Sequence, residues 1–149
     1  MAVLAVLVLV GTLGCQPSPK PQDVARQFYQ LVDSGRQDSA PSVRAELLSL
    51  LSDASRVPFE ACAQSGGQPL SLWGSPVTAQ QCLLISGFDA PRGDYEFVEI
   101  ASGTVRATLE ARSGRDRRYV ELVNENGWRI DVAATVERNR SATPQLEPL

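Results

Sequence analysis

Residues 104–136, TVRATLEARSGRDRRYVELVNENGWRIDVAATV, decide the fold class. Val105, Ala107, Leu109 and Ala111 alternate with Thr104, Arg106, Thr108 and Glu110, the period of a strand with one buried face. Ser113–Arg117 is a polar turn and Arg118–Asn124 a second strand. Trp128–Val136 reads as a third, joined through Asn126-Gly127, a pair suited to the positive φ angles of a type I′ hairpin. Working outward toward the N-terminus, Asp94–Ser102 is a strand apolar on both faces, and Cys82–Ile85 is a short apolar run. Ser65–Pro76 is a Ser/Gly/Pro loop around Trp73, composition that punctuates rather than continues an element.

Before that loop the period changes to that of a helix. Val24, Phe28, Leu31 and Val32 fall on one face of Asp23–Ser34. Asp23 suits the positive end of the helix dipole and Gly35 supplies a stop. A second helix is expected from about Ser42 to Ala54, with Val43, Leu47, Leu50, Leu51 and Ala54 on its apolar side and Pro41 in its first turn. Pro58 interrupts the next stretch, so Phe59–Gln64 is at most a short third helix. Helices followed by consecutive hairpins predict an α+β domain. Its expected form is two to three N-terminal helices packed on a curved antiparallel sheet of four to five strands, spanning residues 22–137. The polar residues 138–149 read as a flexible tail.

Composition narrows the chemistry. The chain has 149 residues, 14 basic and 17 acidic, with a formal charge of −3. That balance carries no nucleic-acid footprint. It has no histidine, which rules out a Ser-His-Asp triad, a Cys-His pair and imidazole-ligated metal. No cofactor and no metal site is implied.

The first fifteen residues read as an address. Met1–Gly14, MAVLAVLVLVGTLG, is apolar and uncharged, too short for a permanent membrane span and the right length for the core of a signal peptide. Gly11-Thr12-Leu13-Gly14-Cys15 resembles the lipobox of bacterial lipoproteins. Thr12 stands where that family usually has Leu, and no Lys or Arg precedes the apolar run. The resemblance implies cleavage before Cys15 and acylation of that cysteine, the acyl chains supplying a stable anchor. The plainer alternatives are an ordinary signal peptide cut nearby or a buried hydrophobic segment with an incidental cysteine. Residues 15–21, with Pro17, Pro19 and Pro21, would then be a lipidated, extended tether. Gln16 rather than Asp after the cysteine points to the outer membrane, facing the periplasm.

The order of elements, the Phe28-Tyr29 pair in the first helix and the late Gly127-Trp128-Arg129-Ile130 strand start resemble the nuclear-transport-factor-2-like superfamily. That resemblance implies a cone-like roll, of the kind found in small envelope-lipoprotein domains of unknown function. Isomerases of the superfamily work with an Asp base and a Tyr or protonated Asp in their pocket. The available types here are Tyr29, Tyr95, Tyr119, Asp131 and Glu99. A carboxylate-based isomerase would need Asp131 or Glu99 in a pocket beside one of those tyrosines.

Three other features invite a role. Cys62 and Cys82 remain once Cys15 is assigned to lipid. In an exported chain such a pair forms a disulfide, the alternative being two buried thiols. Arg112, Arg115, Arg117 and Arg118 crowd one hairpin around Asp116, either a solvated turn or an anionic contact. Trp73 either plugs the open end of the domain or anchors a partner. The function expected is therefore an envelope lipoprotein with a small non-enzymatic binding or accessory domain. Its partners would be the membrane through lipid and either an envelope protein or a small apolar ligand. The isomerase is the alternative.

Overall fold

The computed structural model describes residues 18–34, 41–64, 82, 88 and 93–142. In chain order these form α1 (Pro21–Ser34), α2 (Pro41–Ser49), α3 (Asp53–Gln64), β1 (Glu96–Ser102), β2 (Arg106–Ser113), β3 (Asp116–Asn124), β4 (Trp128–Ile130) and α4 (Val132–Ala142). The strands make one antiparallel meander in the order β1-β2-β3-β4. The architecture is α+β, with α1 packed on β1, β2 and β4. The sheet is not closed.

Alternation builds the core as expected. Ala107, Leu109 and Ala111 of β2, Val120 and Leu122 of β3, and Ile130 of β4 are buried on one face. Val24, Ala25, Phe28, Tyr29 and Val32 of α1 cover them, joined by Leu47, Leu50, Leu51 and Phe59. Val105 departs from its expected place and is 61% exposed. β2 begins one residue later, and Gly103 N–H bonds Arg106 C=O across the preceding turn. In β1 the register slips between Glu99 and Ala101, and Ile100 is left exposed.

The turns follow local chemistry. Gly114 has φ +59° in the two-residue link between Ser113 and Asp116, the glycine-first arrangement of a type II′ hairpin. The β3–β4 hairpin uses Asn126 (φ 56°) and Gly127 (φ 133°), but its loop has three residues, 125–127, because Asn124 pairs with Trp128. Asn124 Oδ1 accepts the Gly127 N–H and closes that loop.

Three elements differ from the sequence reading. The helix expected over 42–54 breaks at Ser49, because Leu51 pairs in parallel with Ile130. Ile130 N–H bonds Leu50 C=O, and Ser52 N–H bonds Ile130 C=O. Ser52 then caps α3, its hydroxyl and carbonyl both accepting from Ser55 N–H. α3 runs through Pro58, held on either side by Ser55, Phe59 and Cys62 on its inward face. The third difference is at the C-terminus. The strand expected over 128–136 ends at Ile130, and Asp131 starts a helix there. Asp131 Oδ1 accepts the Ala134 N–H, and its carbonyl accepts the Thr135 N–H, an N-cap. The helix continues to Ala142, past the point where a flexible tail was expected. Of the apolar run Cys82–Ile85, residue 82 is helical; 83–85 lie outside the described residues.

Helix α4 also solves a problem created by the short β4. β3 extends well beyond its three-residue neighbour, and an unpaired strand edge is a hazard for association. Asp131 N–H bonds Glu121 C=O, and Thr135 Oγ1 accepts the Glu121 N–H. The Asn139 side-chain amide then accepts from Tyr119 N–H and donates to Tyr119 C=O, both at 2.8 Å. Side chains of a helix thus replace the missing strand.

Candidate functional site

The cavity bordered by the C-terminal half of α1 and the approach to β1 is the candidate site. It is a cleft of about 560 Å³ lined by Arg26, Tyr29, Gln30, Asp33, Ser34 and residues 93–95 and 97. Helical spacing explains half of it. Arg26, Tyr29, Gln30 and Asp33 recur at three- and four-residue steps along one side of α1. The other wall is the extended Asp94-Tyr95 leading into β1, and Phe97 turns inward by strand alternation.

Its floor is aromatic. Between ring centroids, Tyr29 meets Tyr95 at 5.5 Å with the rings tilted, and Phe97 at 5.1 Å and Phe88 at 6.1 Å edge-on. Phe28 and Phe88 pack in the same way behind it, the edge-to-face arrangement that aromatic quadrupoles favour. The Tyr95 hydroxyl donates to Asp116 Oδ2 at 2.9 Å, and Arg118 Nε donates to Asp116 Oδ1. Tyr29 has no such hydrogen-bond partner among the described residues, and it is only 9% exposed. Burial first, then the neighbouring Tyr95, pushes its phenol above the usual range; Arg118 opposes the shift and Asp116 adds to it. Tyr29 is therefore a protonated hydroxyl donor at any physiological pH.

The residues singled out from the sequence are dispersed by the fold. Tyr29 and Tyr95 come together in the cleft. Tyr119 does not: its ring lies under Arg138, 5.1 Å from the guanidinium carbon. Asp131 caps α4 and pairs with Arg106 at 3.5 Å. Glu99 is exposed and accepts from Gln22 Nε2. Neither carboxylate lines the cleft, so the pairing an isomerase would need is not formed by the residues named for it. The carboxylate that meets a tyrosine is Asp116, read from the sequence only as a turn residue among arginines. Its alternation with Arg117 and Arg118 gave no hint of Tyr95, which lies on another strand's approach.

Three of the hairpin's four arginines are tied to its own acids. Arg112 and Arg117 reach Glu110, and Arg118 reaches Asp116. Exposed pairs of this kind contribute little stability, which fits a solvated turn. Cys62 and Cys82 are disulfide-bonded, Cα–Cα 5.8 Å, within the span such a bond needs. Cys15 and Trp73 lie outside the described residues. No helix among the described residues is long and apolar enough to cross a membrane. None of their His, Cys, Asp or Glu side chains cluster as a metal site would require.

No family model, curated protein or solved structure matches this chain.

Proposed function

We propose that this chain is an exported bacterial lipoprotein, anchored through acylated Cys15, whose folded domain is a non-enzymatic binding or accessory module. The observation that carries the reading is the division of its three cysteines. Cys62 and Cys82 bond each other, an arrangement at home in an oxidising compartment. The third, Cys15, ends the lipobox-like Gly11–Cys15 and is followed by the proline-rich tether. Gln16 after it supports sorting to the outer membrane, on the periplasmic side. The order of helices before meander supports kinship with nuclear-transport-factor-2-like rolls, to which α4 would be an addition.

Within the domain, a binding role is supported by a cleft of ligand size in which Tyr29, Tyr95 and Phe97 are bordered by Arg26, Gln30, Asp33, Ser34 and Asp94. The candidate bases Asp131 and Glu99 are engaged elsewhere. The test is fractionation of cells expressing the full chain or Cys15→Ser. The parent should sediment with membranes and its mature peptide should begin at an acylated Cys15 by mass spectrometry. The variant should be released. A variant as membrane-bound as its parent would overturn the reading.

A further inference from the structure

We propose that the end of the domain formed by the β1–β2 and β3–β4 turns rests on the bilayer that holds the acyl chains, with Ile100 and Val105 entering its headgroup region. This rests on the lipoprotein reading and adds to it which surface of the domain meets the membrane.

The topology gathers that end. Alternate turns of an antiparallel meander lie together, and Asn124 ties these two. Its N–H donates to Val105 C=O and its side-chain amide to Thr104 C=O. Helix α1 starts at the same end, because it runs antiparallel to β1. Gln22 Nε2 in its first turn donates to Glu99, next to Ile100, whereas Tyr29 further along meets Phe97 and Tyr95. Helix α3 starts there too, its Asp53 N–H donating to Glu125 Oε2 in the β3–β4 turn.

The tether limits the distance. Five residues, 16–20, separate Cys15 from Pro21, where α1 begins. A fully extended chain spans at most about 3.6 Å per residue, so Pro21 lies within about 22 Å of the acylated cysteine. That is less than the length of β2, about 26 Å for its eight residues. The end of the domain at which the chain enters is therefore the end nearest the lipid.

Exposed apolar side chains supply the attraction. Among the described residues the exposed large hydrophobics are Val57 at 68%, Ile100 at 46% and Val105 at 61%. Single exposed aliphatics are ordinary, but Ile100 and Val105 share this end, and Val57 is one helical turn beyond Asp53. Tethering makes their contact with lipid intramolecular, so a few apolar side chains suffice. Charge contributes little here, since Arg106 is paired with Asp131 and Arg56 with Asp53. The β2–β3 turn, with its arginines, and the cleft between Asp33 and Asp94 lie at the opposite end. Both therefore face away from this membrane.

The test uses the full chain purified with its acyl chains. It is placed in nanodiscs of mixed phosphatidylethanolamine and phosphatidylglycerol carrying a gadolinium-chelating lipid. Paramagnetic relaxation falls steeply with distance from the headgroups. The Gly103 and Val105 amides should relax at least about tenfold faster than those of Gly114 and Arg115, a strand's length away. The gradient should persist in uncharged phosphatidylcholine discs, as apolar insertion requires. Replacing both contacts, Ile100→Ser with Val105→Ser, alters only exposed positions and should shrink the gradient at least about threefold. Equal relaxation at the two ends, faster relaxation at Gly114, loss of the gradient in phosphatidylcholine, or a gradient unmoved by the double substitution would each overturn the proposal. So would Val105 amide shifts that follow the protein-to-lipid ratio without any gradient, the mark of a second copy on this face. If mass spectrometry finds Cys15 unacylated, it is the lipoprotein reading that fails. A maleimide lipid on the Cys15 thiol of the same chain then allows the same measurement, so either can fail alone.

Discussion

Replacing Asn139 tests the edge-sealing role of α4. Among the described residues its amide makes three hydrogen bonds at 2.8 Å: from Tyr119 N–H, to Tyr119 C=O and to Thr135 C=O. Each such bond contributes about 1 kcal/mol net, so Asn139→Ala forfeits about 3 kcal/mol. Alanine returns about 0.6 kcal/mol of helix propensity. The net loss expected is about 2 kcal/mol, a large share of a small domain's stability. With a urea m-value of about 1.5 kcal/mol/M, the unfolding midpoint should fall by about 1.3 M. Asn139→Asp is the sharper variant. It keeps an acceptor for Tyr119 N–H but turns a carboxylate toward two carbonyl oxygens, so it should destabilise at least as much. Hydrogen exchange at the Tyr119 amide should quicken in both. If both variants unfold within about 0.5 kcal/mol of the parent with Tyr119 still protected, the amide does not stand in for a strand.

Reducing the Cys62–Cys82 bond, which closes a 20-residue separation, should lower stability by about 3 kcal/mol in the chain-entropy model. Thiol titration of denatured, unreduced protein should find neither cysteine free. Ser55→Ala removes the buried hydroxyl that accepts from Val132 N–H and from the Ser52 hydroxyl. It should cost about 1–3 kcal/mol, read as a lower melting temperature. Tyr29 is held protonated in the fold, so stability is unaffected by it below about pH 10. Above that the unfolded phenol ionises first, and stability should fall by about 1.4 kcal/mol per pH unit. Tyr29→Phe should flatten that alkaline slope in pH-dependent urea titrations.

Where one local rule governed, the sequence was readable. The alternation in 106–124 has one buried face and one short turn, and the strands follow it. α1 follows its apolar stripe from Val24 to Val32. Residues 128–136 misled because Trp128, Ile130, Val132 and Val136 are strand-formers in alternation. The deciding group was Asp131, whose capping of Ala134 N–H outweighs β-propensity; an Asp followed by Val-Ala-Ala-Thr was the available signal. Residues 42–54 misled for the opposite reason, since the apolar stripe continues while Leu51 leaves it to pair with Ile130. That is a tertiary contact, invisible to a local pattern. In the site, Tyr29 and Tyr95 were both named, but their meeting, and Asp116 behind them, depend on the β1–β2–β3 register.

The Ser52–Ser55 node has a temporal consequence. Ser55 bonds Val132 across 77 residues of chain, and Leu51 needs Ile130 beside it. At about 5–20 residues per second of synthesis, α1–α3 wait some 4–15 s before their closing partner exists. The meander from β2 to β4 has only near neighbours in sequence and can pair as soon as it is made. Completion of the domain is thus deferred to its last quarter. Until Ile130 and Val132 arrive, Leu51 lacks its bridge and Ser55 its acceptor role, so the helical half is the part of the domain that closes last.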